Sequence, residues 1–133
     1  MDTNEKIAAF DPNGMGDTNG NIYGLPFDAD TANLVILPVP WEVTVSYQAG
    51  TASAPGAIRE ASLQVDLFDP FVKDAWKLGL AMKDIDLDLA AKSNTLRQKA
   101  EHYIDQLAGG SSIKENPDLG DILAEVNQAC REM

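Results

Sequence analysis

The densest apolar run in the chain is Leu34, Val35, Ile36, Leu37 and Val39, interrupted only by Pro38. A run so short and so continuous predicts a strand covered on both faces, the pattern of a parallel sheet. Pro38 removes a ladder donor, so the strand is expected over 33–38, with a loop after it. From Ser53 the period lengthens. Ile58, Ala61, Val65 and Phe68 recur at helical spacings behind Pro55, which suits a first turn, and they predict a helix over 54–67 stopped by Asp69-Pro70. The stretch "LGLAMKDID" predicts a second short strand over 78–85. Ser93 then reads as the cap of a helix with the stripe Leu96, Ala100, Tyr103, Ile104 and Leu107, ended by Gly109-Gly110. A last helix after Asn116-Pro117-Asp118 carries Leu119, Ile122, Leu123, Val126, Ala129 and Cys130 on one side.

Residues 1–32 have a different texture, with Gly14, Gly16, Gly20, Gly24, Pro12 and Pro26 scattered among Asn and Asp. Such a stretch predicts an extended N-terminal arm or loop, leaving 33–133 as the folded domain. The glycine spacing is a poor dinucleotide fingerprint, because the third glycine is one place late and no strand precedes it. The element order is strand, helix, strand, helix, helix, which implies α/β architecture with parallel strands and helices on the sheet faces. Two strands make a poor sheet. A strand as apolar as 33–38 needs neighbours and covering layers that this chain supplies only in part.

Composition fits an ordinary folded chain, at 133 residues with 44% hydrophobic and 23% charged residues, one domain's worth of core. Charge changes the picture more. Twenty-one acidic residues against 10 basic give a net charge of -11, which opposes binding to nucleic acid or an anionic membrane surface. No segment approaches the roughly 20 apolar residues of a spanning helix, and the acidic start Met1-Asp2-Thr3-Asn4-Glu5 is unlike a signal peptide, so a cytoplasmic location is expected. The single cysteine, Cys130, is expected to be a buried hydrophobe.

The stretch "VILPVPWEVTVSYQAGTASAPGAIREAS" resembles the first strand, loop and helix of the ureohydrolase family, which includes arginase, agmatinase, formimidoylglutamase and guanidinobutyrase. The features that carry the likeness are Val39-Pro40, Ser46-Tyr47, Gly50-Thr51 and Pro55-Gly56-Ala57-Ile58-Arg59. "FDPNGMGDTNGNIYGLPF" and "QVDLFDP" are similar to an agmatinase-like branch, and "KDID" stands where the family often has an Asp-x-Gly-Asp turn. Pro38 and Ile85 depart from the family pattern, each standing where many members have Gly.

The resemblance implies the N-terminal part of a three-layer α/β/α parallel-sheet (arginase-like) fold, incomplete in this chain. It implies hydrolysis of a guanidino or amidino C-N bond, a small guanidino substrate, and two Mn(II) ions in a complete member. Those ions are held in the family by Gly-Gly-Asp-His, Asp-Ala-His-x-Asp and Asp-x-Asp segments, and none of the three occurs here. The chain alone is therefore expected to be inactive, and to self-associate or to associate with the C-terminal part it lacks. The alternative is a non-catalytic α/β interaction module or one chain of a split enzyme.

Few residues remain as candidates. The only histidine, His102, lies with Gln98, Lys99 and Asp105 on the polar side of its helix, which predicts a solvated side chain. Asp84-x-Asp86-x-Asp88 has Leu89 and Thr95 where a calcium loop needs Gly and Glu, and it reads as a polar strand exit. No hydroxyl has a histidine nearby to activate it, so neither a catalytic residue nor a metal ligand is assigned. The loop after the first strand is different, because ligands of open α/β sheets sit outside the strands' carboxyl ends. Trp41, Glu42, Ser46, Tyr47 and Gln48 are expected to line the rim of a substrate pocket in a complete enzyme. Beside this stands the reading that Trp41 and Tyr47 only pack the loop down.

Overall fold

A computed structural model of the chain describes residues 1–16, 20–45 and 48–133. These fall into two compact units, one formed by Met1–Val39 with Ser53–Asp86 and the other by Pro40–Ala52 with Leu87–Met133.

The first unit begins with helix α1, Thr3–Ala9, inside the stretch expected to be arm or loop. Its cause is a reciprocal cap. Asp2 Oδ1 accepts the Glu5 N–H at 2.9 Å while Glu5 Oε2 accepts the Asp2 N–H at 2.8 Å, satisfying donors that the first turn would otherwise leave open. Lys6 then bonds the Asp28 carboxylate and, at 2.9 Å, the Thr31 hydroxyl. The Lys6 ammonium first, and then the Thr31 hydroxyl, which donates to Asp28 Oδ1 at 2.7 Å, hold the Asp28 carboxyl well below the usual carboxylate range.

Leu25, Phe27 and Trp76 form the core of this unit, with Ile7, Phe10 and Leu80 packed around them. The Phe10 and Trp76 rings are 5.0 Å apart and tilted by 53°, a favourable aromatic arrangement. Strand β1, Leu34–Ile36, pairs in parallel with β2, Leu80–Met82, in the register Leu34 to Leu80, Val35 to Ala81 and Ile36 to Met82. The sheet is thus parallel, as the apolar run predicts, although both strands are shorter than expected. Gly79 enters β2 at φ 76°, a left-handed conformation that a side chain rarely adopts.

The two edges of this sheet differ. Leu34 donates to the Gly79 carbonyl and Ile36 accepts from Lys83, so alternation turns the backbone groups of Val35 and Leu37 away from β2. Among the described residues no strand pairs with that side of β1. The outer side of β2 is closed by a side chain. Buried Asn21 donates to the carbonyls of Leu25, Phe27 and Leu80, each at 3.0 Å, and accepts the Met82 N–H at 2.9 Å. One amide therefore does the work of a short strand, tying residues 21–27 to β2.

Helix α2, Ala54–Ser62, starts with Pro55 in its first turn as predicted but stops five residues before the expected end. Ser62 is the reason. Its buried hydroxyl donates to the Arg59 carbonyl at 2.6 Å and accepts the Tyr23 N–H at 2.8 Å, while the Leu63 N–H closes a tighter turn on Glu60. Tyr23 sits at φ 58°, an uncommon conformation for an aromatic residue, and this bond helps to hold it there.

The second unit is built on α3, Leu87–Ala108, and α4, Asp118–Glu132. Lys92 pairs with Glu132 and Lys99 with Glu125, so the two helices run antiparallel. Leu96, Ala100, Val126 and Ala129 fill the space between them with Val43, and Trp41 and Ile122 pack against this cluster. Three expectations need correction. Ser93 is no cap, because α3 starts six residues earlier on the strong helix formers Leu87, Leu89, Ala90 and Ala91, leaving Ser93 inside the helix and buried. Cys130 is exposed, since Val126 and Ala129 face inward and Cys130 is one position further round the helix. Ile104 and Leu107 are exposed although they continue the stripe of Leu96 and Ala100. Gly109-Gly110 does end α3, with Gly110 at φ 90°.

Candidate functional site

The segment from Trp41 to Ala52 lies in the second unit, and bonds made by Glu42 tie Gly50 and Ala52 back to its beginning. Glu42 Oε2 accepts the backbone N–H of Gly50 at 2.7 Å and that of Ala52 at 3.1 Å. Those two donors, Gly50 first, pull the Glu42 carboxyl below the ordinary glutamate range, with a further contribution from the Arg97 guanidinium. The Glu42 N–H donates to Ser93 Oγ at 3.0 Å. Arg97 Nη1 donates to the Glu42 carbonyl at 3.0 Å and to the Val45 carbonyl at 3.3 Å, and Arg97 Nη2 pairs with Glu101 at 2.8 Å.

Of the expected rim residues, Trp41 is half-buried against the Val43, Leu96 and Ala100 cluster. Glu42 is half-buried with its carboxylate directed at the loop's own backbone, and Gln48 is exposed. Ser46 and Tyr47 lie outside the described residues. Ser93 and Arg97 complete the arrangement; sequence reasoning passed over Arg97 and read Ser93 only as a helix cap. The signal was present, because the two are four residues apart and so share the face of α3 that carries Leu96 and Ala100, where polar side chains need partners.

Metal chemistry has no such arrangement. Among the described residues no three His, Cys, Asp or Glu side chains come together in a way that could hold an ion. His102 is exposed, and Asp84 lies 3.9 Å from Arg59. These donors do not fit a pair of Mn(II) ions, which needs several imidazole and carboxylate ligands converging on one place. Among the described residues no helix is long and apolar enough to cross a membrane.

A parallel strand pair joined through a polar loop and a helix defines a mixed α/β protein with the beginning of a parallel sheet. The arginase family model matches residues 32–113, more than half of the chain, and the chain belongs to that family. The matched stretch runs from just before β1 to just beyond α3 and contains the whole Glu42 loop. No curated protein and no solved structure matches the chain.

Proposed function

We propose that this chain is the N-terminal portion of a ureohydrolase-type enzyme of the agmatinase-like branch, acting in the cytoplasm on the C-N bond of a small guanidino or amidino compound. The observation that carries this reading is the family match over residues 32–113. The sheet supports it, because β1 and β2 are parallel and one edge of β1 has no partner strand among the described residues, an arrangement that further strands of a longer protein would complete. In this reading residues 1–32 are an N-terminal arm of the domain of residues 33–133, with Leu25 and Phe27 packed into a core with Trp76. The two Mn(II) ions and the residues that activate water belong to sequence outside these 133 residues. This chain contributes the loop from Trp41 to Ala52 to the pocket rim.

The test is the coding sequence downstream of Met133. A reading frame that continues into a Gly-Gly-Asp-His segment, with urea released by the longer product, is the expected result. A stop codon with no such segment encoded nearby overturns the reading in favour of a non-catalytic module.

A further inference from the structure

The rim reading gives Glu42 a place beside the substrate, yet one oxygen of its carboxylate, Oε2, is committed to the loop's own backbone. We propose that Glu42 is a positioning residue: its carboxylate closes the loop from Trp41 to Ala52 upon itself, and Ser93 with Arg97 fastens the closed loop to α3. Glu42, Gly50 and Ala52 are thereby held together before any ligand arrives, with one oxygen of the Glu42 carboxylate committed to that closure. The proposal rests on the preceding reading only for what the loop is used for, since the clamp stands on geometry within one compact unit.

Four features converge on this role. Gly50 and Ala52 lie eight and ten residues beyond Glu42, so one carboxylate oxygen shared by their N–H groups, at 2.7 and 3.1 Å, joins the two ends of the loop. Hydrogen bonds to an ionised acceptor are about twice as strong as neutral ones, so two of them hold the closure firmly. The backbone of Glu42 is gripped from the other side, its N–H by Ser93 and its carbonyl by Arg97. Val43, next in sequence, is 2% exposed and anchors the same segment in the helix-pair core. Glu42 is also the only acidic or basic residue between Trp41 and Ala52, so no neighbour in the loop can replace its charge. The charged groups facing it come from α3, Arg97 directly and Glu101 through Arg97.

The cost of forming such a loop is conformational entropy, and a clamp moves that cost from ligand binding to folding. The Oε2 atom committed in this way has less to offer a guanidinium than an uncommitted carboxylate oxygen. Selectivity at the rim then comes from side chains such as Trp41 and Gln48, with Glu42 governing where they stand.

Amide hydrogen exchange in the 133-residue chain tests the clamp directly. Glu42→Ala is expected to lower the protection of Gly50 and Ala52 by about tenfold or more, with protection at Leu96 and Val126 retained. Glu42→Gln keeps an acceptor oxygen and is expected to lose less. A pH series supplies a readout that simple packing would not move. In the unsubstituted chain protection at Gly50 and Ala52, corrected for intrinsic exchange, is expected to be full above the ordinary glutamate range and to fall as pH drops through the lowered Glu42 value. Glu42→Gln is expected to show no such acid step. Unchanged protection in a folded Glu42→Ala chain, or an acid step that survives in Glu42→Gln, overturns the proposal. None of these readouts depends on whether a longer product releases urea, so the clamp and the enzymatic reading fail separately.

Discussion

The two units of this molecule handle apolar surface in opposite ways. In the unit of Pro40–Ala52 with Leu87–Met133, the helix pair turns Leu96, Ala100, Val126 and Ala129 toward one another and bridges its rim with Lys92 to Glu132 and Lys99 to Glu125. In the unit of Met1–Val39 with Ser53–Asp86, a core forms around Leu25, Phe27 and Trp76, but Leu37 is 64%, Phe68 78% and Phe71 93% exposed. Single exposed apolar residues are ordinary, whereas an apolar strand with a bare edge is a surface that natural proteins normally cover. On the reading proposed above, a longer family domain would add its next strand along β1, since Asn21 already occupies the outer side of β2.

Core truncations are the strongest way to sharpen the contrast. Trp76→Ala removes an aromatic ring from the core of the first unit, and the expected loss is about 3–5 kcal/mol by denaturant unfolding. Leu96→Ala in the helix pair is expected to cost about 2–3 kcal/mol, because neighbouring alanines leave less of a cavity to support. Equal losses at both sites, or a larger one at Leu96, would break the comparison.

Surface changes have a smaller effect and test the same idea from outside. Self-association of the chain is expected to run through its first unit. Leu37→Gln and Phe71→Gln, both neutral so that the net charge stays at -11, should each weaken it roughly fivefold by light scattering. Ile104→Gln and Leu107→Gln in the helix pair should change it little. The reverse order would place the exposed interface on the helices.

What could be read from the sequence follows the range of the interactions involved. The position and parallel pairing of β1, the start of α2 and the end of α3 rest on local signals, an apolar run, a proline and a glycine pair. Those signals are borne out. The Asp2 to Glu5 cap of α1 was equally local, but it sits beside a stretch rich in glycine and proline that favours a loop reading. The rest depends on distant partners. Helix α2 ends early because Ser62 meets Tyr23, 39 residues away. The face of α4 that turns inward is chosen by α3, and this choice leaves Cys130 outside.

The loop was recognisable for the same reason as β1, since it follows the strand directly. Its clamp was not, because Glu42 must find Ser93 and Arg97 more than 50 residues on. A polar residue inside an apolar stripe is the one trace that such a partner leaves in a sequence.

Inactivity of this arginase-family chain on its own is what we propose, because no three His, Cys, Asp or Glu side chains among its described residues come together to hold an ion. Its most direct test is a urea assay on the purified 133-residue chain, with excess Mn(II) and agmatine or arginine as substrate. No urea above a blank containing metal and substrate alone is expected. Release that rises in proportion to the amount of chain would contradict it.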